Sequence, residues 1–305
     1  MVGIVILNYC NSGYTVACVE SILQFSSTAP RIVVVDNASP DDSMQSLGAY
    51  LQEHPGVFTL VRAERNGGYA QGNNVGLEVL EGDPEVSQVM ILNNDVLFTS
   101  DIIPTLSEFL QAHPEAGIVS PLLRCRDGVS VDNTCARRDC SIREIVWTYL
   151  LYFTNICGIL SRFADRRKIL PGHPELLERP CVPIELPSGS CMLIDKALFR
   201  KIGWFDPGTF LYYEENILYR KLLSEGKISY MLPSVDCIHL GGVTTNKVPH
   251  SASYMKSSKS SGYYYATHYR RMSPLQRLVL RLAYAWYNTL VDIVKGIKSI
   301  KGLIS

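Results

Sequence analysis

Short apolar segments alternate with helical periods through the first third of the chain, and this order constrains the fold more than any other feature. The strand-like segments are 3–7, 31–35, 59–62 and 88–92, and the helical ones are 14–24, 42–52 and 70–80. Strands that alternate with helices predict βαβ units, in which a parallel sheet carries helices on both faces. In such a sheet, ligands bind beyond the carboxyl ends of the strands.

The composition supports a folded domain of enzyme size. The chain has 305 residues, of which 47% are hydrophobic and 19% charged, so it can bury a large core and disorder is excluded. An apolar segment follows Met1 without the features of a secretory signal, so we expect a protein that is not secreted. The nine cysteines contain no C-x-x-C pair, which argues against a disulfide framework and a zinc knuckle and favours a reducing cytoplasm.

The net charge of zero hides an asymmetry along the chain. From Lys247 onward there are ten Lys and Arg residues and one acidic residue, Asp292. That leaves 19 of the 29 basic and 28 of the 29 acidic residues before this point. A basic, apolar tail predicts contact with an anionic surface, either a membrane or a nucleic acid. No apolar run reaches the roughly 18 residues that a membrane-spanning helix needs.

Two later segments predict amphipathic helices. Ser141 and Glu144 have the spacing of a capping box ahead of apolar residues at helical spacing, which predicts a helical insertion over about 141–170. The last helix begins at Ser273 and Pro274, a favourable pair for a helix start. Its apolar face carries Leu275, Leu278, Val279, Leu282, Trp286, Leu290, Ile293, Val294 and Ile297.

The aromatic residues of this last helix favour peripheral attachment to a membrane. Tyr284, Trp286 and Tyr287 stand beside basic residues, a composition that suits the membrane interface. A helix that simply packs on the catalytic domain explains the same pattern. Nucleic-acid binding has no support from a base-stacking or groove-reading motif.

Polar residues follow the predicted strands where ligands bind. Asn8 follows the first strand and Asp36 the second, and a carboxylate there can accept the N3–H of a uracil or thymine ring. An Asx turn that caps the next helix explains Asp36 equally well. Asn93, Asn94 and Asp95 follow the fourth strand, where oxygen ligands suit Mg²⁺ or Mn²⁺. A turn cap is again the alternative.

Two further motifs carry candidate chemistry. Arg65 and Asn66 open a glycine-containing loop that enters a helix, so its backbone N–H groups can face a diphosphate. The loop is not G-x-G-x-x-G, which argues against a dinucleotide-dependent oxidoreductase. Glu214 and Glu215 follow an aromatic cluster, and burial with like-charge repulsion would raise the pKa of one of them, as suits a general base. An acidic helix N-terminus is the structural alternative.

The order and spacing of these motifs resemble the family-2 glycosyltransferases of GT-A fold, particularly the rhamnosyltransferase-like branch of bacterial surface-polysaccharide assembly. The resemblance covers most of residues 3–242. It implies that Asp36 binds the base, that 66–76 form the donor loop, and that 93–95 occupy the position of the Asp-x-Asp motif. Gly189 and Ser190 lie in the segment that resembles the family's acceptor side.

The resemblance also implies the catalytic groups. Glu215 is the expected base of an inverting displacement, with Glu214 second, and the nucleoside diphosphate leaves from the opposite face of the sugar. A divalent metal, Mg²⁺ or Mn²⁺, at Asp95 would stabilise the leaving charge. His239 stands where some family members have a histidine near the metal, and a structural histidine is the alternative.

Two positions depart from the family pattern. Asn93 replaces the first aspartate of Asp-x-Asp, which leaves Asp95 as the one carboxylate and makes metal affinity depend on the donor diphosphate. Ile217 stands where the family often has a further aspartate.

The predicted fold is therefore α/β: a GT-A, nucleotide-diphospho-sugar transferase-like domain over residues 1–242 with a Rossmann-like, mostly parallel sheet, and basic amphipathic helices over 243–305. The predicted donor is a dTDP- or UDP-linked rhamnose or hexose, and the acceptor is a glycan or a polyprenyl-diphosphate-linked sugar at the cytoplasmic face of the membrane. The predicted nucleotide-sugar-binding residues are Asn8, Asp36, Arg65, Asn66, Asn74, Asn93 and Asn94.

Two other functions stay open at this point. A catalytically silent protein that binds a sugar nucleotide or glycan is permitted by Asn93. A nucleotidyltransferase on a similar sheet lacks the basic, glycine-rich opening loop that we would expect.

Overall fold

The computed structural model describes residues 1–152, 159–241 and 252–304. The elements of the first part are β1 (Val2–Asn8), α1 (Ser12–Phe25), β2 (Arg31–Asp36), α2 (Ser43–Glu53), β3 (Thr59–Arg62), α3 (Gly68–Glu81), β4 (Gln88–Asn93), β5 (Val96–Phe98), α4 (Ile103–Ala112) and β6 (Ala116–Arg124). The elements of the second part are β7 (Ala136–Arg137), α5 (Ile142–Leu151), α6 (Ile159–Arg167), β8 (Val182–Ile184), β9 (Leu186–Pro187), β10 (Cys191–Asp195), α7 (Lys196–Lys201), α8 (Glu214–Ser224), β11 (Ile228–His239), α9 (Ala252–Tyr269) and α10 (Pro274–Ile304).

The described residues place nine strands in one sheet, in the order β3-β2-β1-β4-β10-β6-β11-β5, with β8 also paired to β11. β1 to β4 are parallel, as the alternation of strands and helices predicted. β10 then enters antiparallel between β4 and β6. The α/β class is confirmed, and the antiparallel strands are the part that the alternation did not predict.

Both faces of the sheet are covered, which explains why its strands are almost continuously apolar. Ile4 and Ile6 of β1 pack on one face with the α1 side, against residues such as Val19. Val5, which points the opposite way in the pleat, packs with Leu77 of α3. The sheet edge at the carboxyl ends of these strands is therefore a rigid platform for the polar residues that follow.

Helices α5, α9 and α10 share a separate apolar core; together with α6 we call them the helical lobe. Tyr149 of α5, Tyr265 of α9 and Tyr287 of α10 are fully buried in this core. The predicted capping box forms, because Ser141 accepts from the Glu144 amide while the Glu144 carboxylate accepts from Ser141. The predicted boundary at residue 242 lies at the edge of the described residues and stays a prediction.

The predicted apolar stripe of α10 is not the face that packs on the protein. Six of its residues are between 41% and 69% exposed, namely Leu275, Leu278, Val279, Leu282, Trp286 and Ile293. The packed face carries Leu280, Ala283, Tyr287 and Val291 instead. Tyr287 was expected at the membrane interface, and this was wrong, because its ring packs against Tyr149 and Tyr152. No helix within the described ranges is long and apolar enough to cross a membrane.

The carboxylate of Asp139 joins the helical lobe to α8. Its side chain is only 4% exposed. Oδ2 accepts from Arg270 Nη1 and from the Tyr265 hydroxyl, each at 2.6 Å, and from Arg220 of α8. Oδ1 accepts from Asn216 Nδ2 at 2.6 Å. Because one buried carboxylate accepts from Arg220 of α8 and from Tyr265 of α9, it fixes α8 relative to α9.

We expect Asp139→Asn to lower the free energy of unfolding by roughly 3 kcal/mol, because it leaves the partly buried guanidinium groups of Arg220 and Arg270 without their buried counter-ion. Urea denaturation measures this loss. The control is Asp236→Asn, which breaks the more exposed ion pair with Arg124 and should cost about 1 kcal/mol or less. Equal losses in the two variants would contradict the proposed role of burial.

Candidate active site

Asp36 is fully buried at the end of β2 and held by its neighbours. Its Oδ1 accepts from Asn8 Nδ2 at 2.9 Å, and its Oδ2 accepts from the Ser39 amide at 3.1 Å. Arg62 Nε lies 3.9 Å from Oδ2. The bond to Ser39 is the Asx-type turn that stood as the alternative interpretation. Binding of a base by Asp36 stays a prediction.

The loop before α3 is attached to the segment that leads into α8. Gly68 has a φ of +81°, and a Cβ there would lie 1.9 Å from the Phe210 carbonyl oxygen, so only glycine fits. The next amide, Tyr69 N, donates to the same oxygen at 3.0 Å. Asn66 Oδ1 accepts from Gly68 N and from Asn37 Nδ2, both at 3.0 Å. The predicted donor loop is therefore rigid.

Three other residues predicted to bind the donor contact protein groups. Asn74 forms two hydrogen bonds with the backbone of Phe205. Asn94 Nδ2 donates to the Thr15 hydroxyl at 3.0 Å. Arg65 is exposed and lies 3.5 Å from Gln71 Oε1. Asn74 and Asn94 thus support the site walls, and direct donor contacts from them stay predictions.

Asp95 and His239 come together at the end of β4. His239 Nε2 lies 3.5 Å from Asp95 Oδ1 and 3.1 Å from Ser190 Oγ. His239 Nδ1 lies 2.8 Å from Asp132 Oδ2, which orients the ring. Asn93 Nδ2 donates to Ser190 Oγ at 3.2 Å. The structure thereby brings Asp132, Ser190 and His239, which are distant in sequence, to Asn93 and Asp95.

The charges around His239 favour its protonated form, so the imidazole would have to lose this proton before Nε2 could bind a metal ion. Burial alone would lower the pKa of His239, but hydrogen bonds to Asp132 and Asp95 outweigh it and raise the pKa to about 9. Burial would raise the pKa of Asp132, but hydrogen bonds from His239 and Thr134 outweigh it and lower the pKa to about 2. Two carboxylates therefore face one imidazole.

The side chains of Asp95 and His239 fit a divalent metal that the protein itself binds through few ligands. Asp95 Oδ1 and His239 Nε2 are close enough to contact one ion, with Asp132 holding the far ring nitrogen as metal-binding histidines require. Within residues 1–152, 159–241 and 252–304, no group of three or more His, Cys, Asp or Glu side chains could hold a metal. A divalent ion commonly completes such a site with water and with substrate phosphates.

The two adjacent glutamates have different environments. Glu215 Oε1 accepts from Gly189 N at 3.1 Å and from Arg137 Nη2 at 3.2 Å, and no donor of the described residues contacts Oε2. Glu214 is buried, and within the same residues its Oε1 has no hydrogen-bond partner. Burial, and then the charge of Glu215, raise the pKa of Glu214 to about 8. Glu215 therefore presents a carboxylate oxygen, whereas Glu214 is mostly protonated at neutral pH.

The backbone before α8 is strained in a way that places Glu215. Tyr212 and Tyr213 have φ values of +71° and +73°, which are rare for bulky residues and cost of order 1–3 kcal/mol each. Stacking of Tyr213 on Tyr265 helps hold this conformation. Such strain clusters at functional sites.

Sequence reasoning missed two residues of the site, Arg137 and Asp132, and also the contact that Tyr69 of the predicted donor loop makes with Gly189. Arg137 and Asp132 lie in a stretch without helical or strand periodicity, so nothing in the pattern distinguished them. The Tyr69 hydroxyl donates to the Gly189 carbonyl at 2.6 Å. Burial and the charges of Glu215 and Glu214 raise the pKa of Tyr69, which places the donor loop beside the acidic pair.

Solved glycosyltransferases share this fold. A mannosyltransferase from Pyrobaculum calidifontis, solved with GDP-Man and Mn²⁺, matches 98% of this chain and 75% of its own with a TM-score of 0.56 at 16% identity. TarS of S. aureus (residues 1–349), solved with UDP-GlcNAc, matches 92% of this chain and 70% of its own with a TM-score of 0.55 at 12% identity. The fold is that of the GT-A glycosyltransferases.

The sequence identifies the family. The model of glycosyl transferase family 2 matches residues 2–203, and the chain belongs to this family. The N-acetylglucosaminyl-diphospho-decaprenol L-rhamnosyltransferase of Mycobacterium tuberculosis is 29% identical over 237 residues, which cover 74% of this chain and 72% of that protein. The low-salt glycan biosynthesis hexosyltransferase Agl10 of Haloferax volcanii is 26% identical over 70% of this chain and 58% of that protein. The predicted family is confirmed.

We expect Glu214→Gln to stabilise the protein at neutral pH. The pKa of this carboxyl is about 8 when folded and 4.5 in its ordinary state, so between these values the folded state holds the proton more tightly and stability falls as pH rises. Glutamine does not titrate. Its advantage should be absent below about pH 4.5, grow by up to about 1.4 kcal/mol for each pH unit between the two pKa values, and level off above pH 8, as measured by urea denaturation across pH.

The control for this experiment is Glu78→Gln, which removes a negative charge from an exposed position of α3. Its stability relative to the native protein should change little with pH. A Glu214→Gln variant that behaves like this control would show that Glu214 is ionised in the folded protein.

Proposed function

We propose that the protein is an inverting glycosyltransferase that transfers rhamnose or a hexose from a dTDP- or UDP-linked donor to a glycan or polyprenyl-diphosphate-linked acceptor in bacterial surface-polysaccharide biosynthesis. The observation that carries the proposal is the position of Gly189 and Ser190. Gly189 N contacts the proposed base, Glu215, and Ser190 Oγ contacts His239 beside Asp95. Gly189 and Ser190 therefore connect Glu215, the proposed proton acceptor, to His239, which would lie near the leaving diphosphate.

Glu215 has the features that a base for this reaction requires. Arg137 and Gly189 hold Oε1, so Oε2 can accept the proton of an acceptor hydroxyl as that oxygen attacks the anomeric carbon. The bond between the anomeric carbon and the donor diphosphate breaks, and the nucleoside diphosphate leaves from the opposite face. Glu214 is less suited, because it is buried and mostly protonated at neutral pH.

Asp95 and His239 would hold the divalent metal, Mg²⁺ or Mn²⁺. When bound, the ion would stabilise the negative charge that develops on the leaving diphosphate. Asp132 keeps the His239 ring turned toward Asp95. With two protein donors, the affinity for metal would depend strongly on the donor diphosphate.

The alternative function, a catalytically inactive binding protein, rests on Asn93, which replaces an aspartate of the family motif. A hydrogen bond of Asn93 supplies a structural role for this amide that is compatible with catalysis. Asn93 Nδ2 donates to Ser190 Oγ, whereas an ionised aspartate at the same position could only accept from that hydroxyl. The hydroxyl of Ser190 is in turn in contact with His239. We infer that Asn93 supports the metal-binding edge.

We expect Glu215→Gln and Asp95→Ala each to lower the rate of sugar transfer at least about 100-fold, since one removes the proton acceptor and the other the carboxylate near the leaving group. The measurement is release of nucleoside diphosphate from a panel of nucleotide sugars with Mn²⁺ and acceptor.

Glu78→Gln, on the exposed face of α3, is the matched control and should keep its rate. Thermal melting shows whether each variant is folded. Normal turnover by a folded Glu215→Gln or Asp95→Ala variant would refute the role assigned to that residue. Release of pyrophosphate would instead indicate a nucleotidyltransferase.

We propose further that α10 attaches the protein to the cytoplasmic face of an anionic membrane. The exposed stripe from Leu275 to Ile293 is apolar, while Arg277, Arg281 and Lys295 are exposed on other sides of the helix. An apolar stripe with basic residues on the polar side of the same helix suits attachment to an anionic lipid surface. This position would bring the protein to a lipid-linked acceptor, the class named for the mycobacterial relative.

We expect the combined changes Leu278→Ser, Leu282→Ser and Trp286→Ser to weaken binding to phosphatidylglycerol-containing vesicles at least about tenfold, since each exposed apolar side chain contributes on burial. Vesicle co-sedimentation measures the affinity. Leu23→Ser with Leu223→Ser removes exposed leucines of α1 and α8 and is the control. Unchanged binding by the α10 variant would refute attachment through this stripe.

A further inference from the structure

The helical lobe carries far more positive than negative charge. Residues 141–170 contain five Lys and Arg residues and two acidic ones, and the segment from Lys247 onward contains ten and one. Of the acidic side chains in the first segment, Asp165 pairs with Lys168 and Glu144 caps α5. Most cations of the lobe therefore have no carboxylate partner in the lobe itself.

Arg167, the last residue of α6, is one of these cations. Its Nε is buried, and no hydrogen-bond partner for it lies in the described part of the chain. Its backbone carbonyl accepts from the Arg138 amide at 2.8 Å, so this residue is anchored beside β7. Arg220 and Arg270 are also partly buried, yet both share the Asp139 carboxylate. A buried guanidinium donor without an acceptor is costly, and a ligand would remove that cost.

Lys259 of α9 is a second such cation. Its Nζ lies 4.9 Å from the centre of the Tyr152 ring, and none of the ion pairs of the described residues includes it. Burial, and then the positive charge of Arg167, lower the pKa of Lys259, so the two cations act on each other. The stretches 153–158 and 242–251, which the structure does not describe, contain no Asp or Glu that could neutralise them.

These two cations adjoin the acidic pair. The charge of Arg167 acts on Tyr213, which directly precedes Glu214, and opposes the rise of the Tyr213 pKa that burial causes. The Lys259 carbonyl accepts from the Tyr149 hydroxyl at 2.8 Å, and the Tyr149 ring packs against Tyr287 of α10. The pair thus lies between the start of α8 and the helix proposed to contact the membrane.

We propose that Arg167 and Lys259 bind the diphosphate group of a prenyl-diphosphate-linked acceptor. This inference rests on the proposed glycosyl transfer. A diphosphate carries several negative charges, and a guanidinium can donate to it in a bidentate manner while the ammonium adds a point charge. Bound there, the diphosphate would hold the acceptor sugar near Glu215 and its prenyl chain toward α10.

The test is transfer to a water-soluble acceptor with a short prenyl diphosphate, measured without lipid or detergent, for the double variant Arg167→Gln, Lys259→Gln. We expect its acceptor KM to rise at least about tenfold, since the variant loses the charge-assisted hydrogen bonds to the acceptor diphosphate. The thermal shift caused by nucleoside diphosphate and Mn²⁺ should persist, which shows that the variant is folded and its donor side intact.

The control is Arg166→Gln with Arg271→Gln, which removes two exposed cations beside the same helices and should leave the acceptor KM unchanged. If the folded double variant transfers sugar at the native rate with an unchanged acceptor KM, the diphosphate site is refuted and the proposed glycosyl transfer is not. Failure of the native protein to use any prenyl diphosphate, although it hydrolyses the donor, would overturn the acceptor class. Loss of vesicle binding without a change in KM would assign the cations to lipid headgroups and overturn the proposal.

Discussion

The antiparallel pairing of β10 with β4 is the constraint on which the site depends. Cys191 pairs with Leu92, and the ladder continues as the Asn93 amide donates to the Ser190 carbonyl at 2.8 Å. Gly189 and Ser190 are therefore held at the carboxyl end of the central strand, where two side-chain networks meet. Because backbone hydrogen bonds set this position, the acidic pair and the Asp95–His239 edge keep a fixed separation without any direct contact between them.

Buried charged groups occur in two different arrangements in this molecule. At Asp139, one carboxylate pairs with two guanidinium groups and fixes α8 to the helical lobe, which is a structural use of charge. Arg167 and Lys259 repel each other, and neither forms an ion pair within the described residues, so an anion bound between them would be favourable. The first arrangement stabilises the fold on its own, whereas the second would be stabilised by the proposed ligand.

Amide and carboxylate side chains have different roles at the sheet edge. Asn8, Asn66 and Asn74 bond to other protein groups and shape the loops, since an amide can donate and accept at once. The carboxylates of Asp95 and Glu215 retain oxygens that a substrate or ion can reach. Glu214, one residue away on the helix, points into the core, because successive helical residues project in different directions.

The order of strands and helices, the family and the location of the polar edge were determined by the sequence, because apolar periodicity and turn residues are local properties. The environment of each glutamate, the contact of Asp132 with His239, the pairing of Arg137 with Glu215 and the outward direction of the α10 stripe were decided by the tertiary structure. Each of these depends on residues that are distant in the chain, or on which of two apolar helix faces finds a partner. Periodicity showed one apolar face of α10, while packing against α5 selected another, centred on Leu280 and Tyr287.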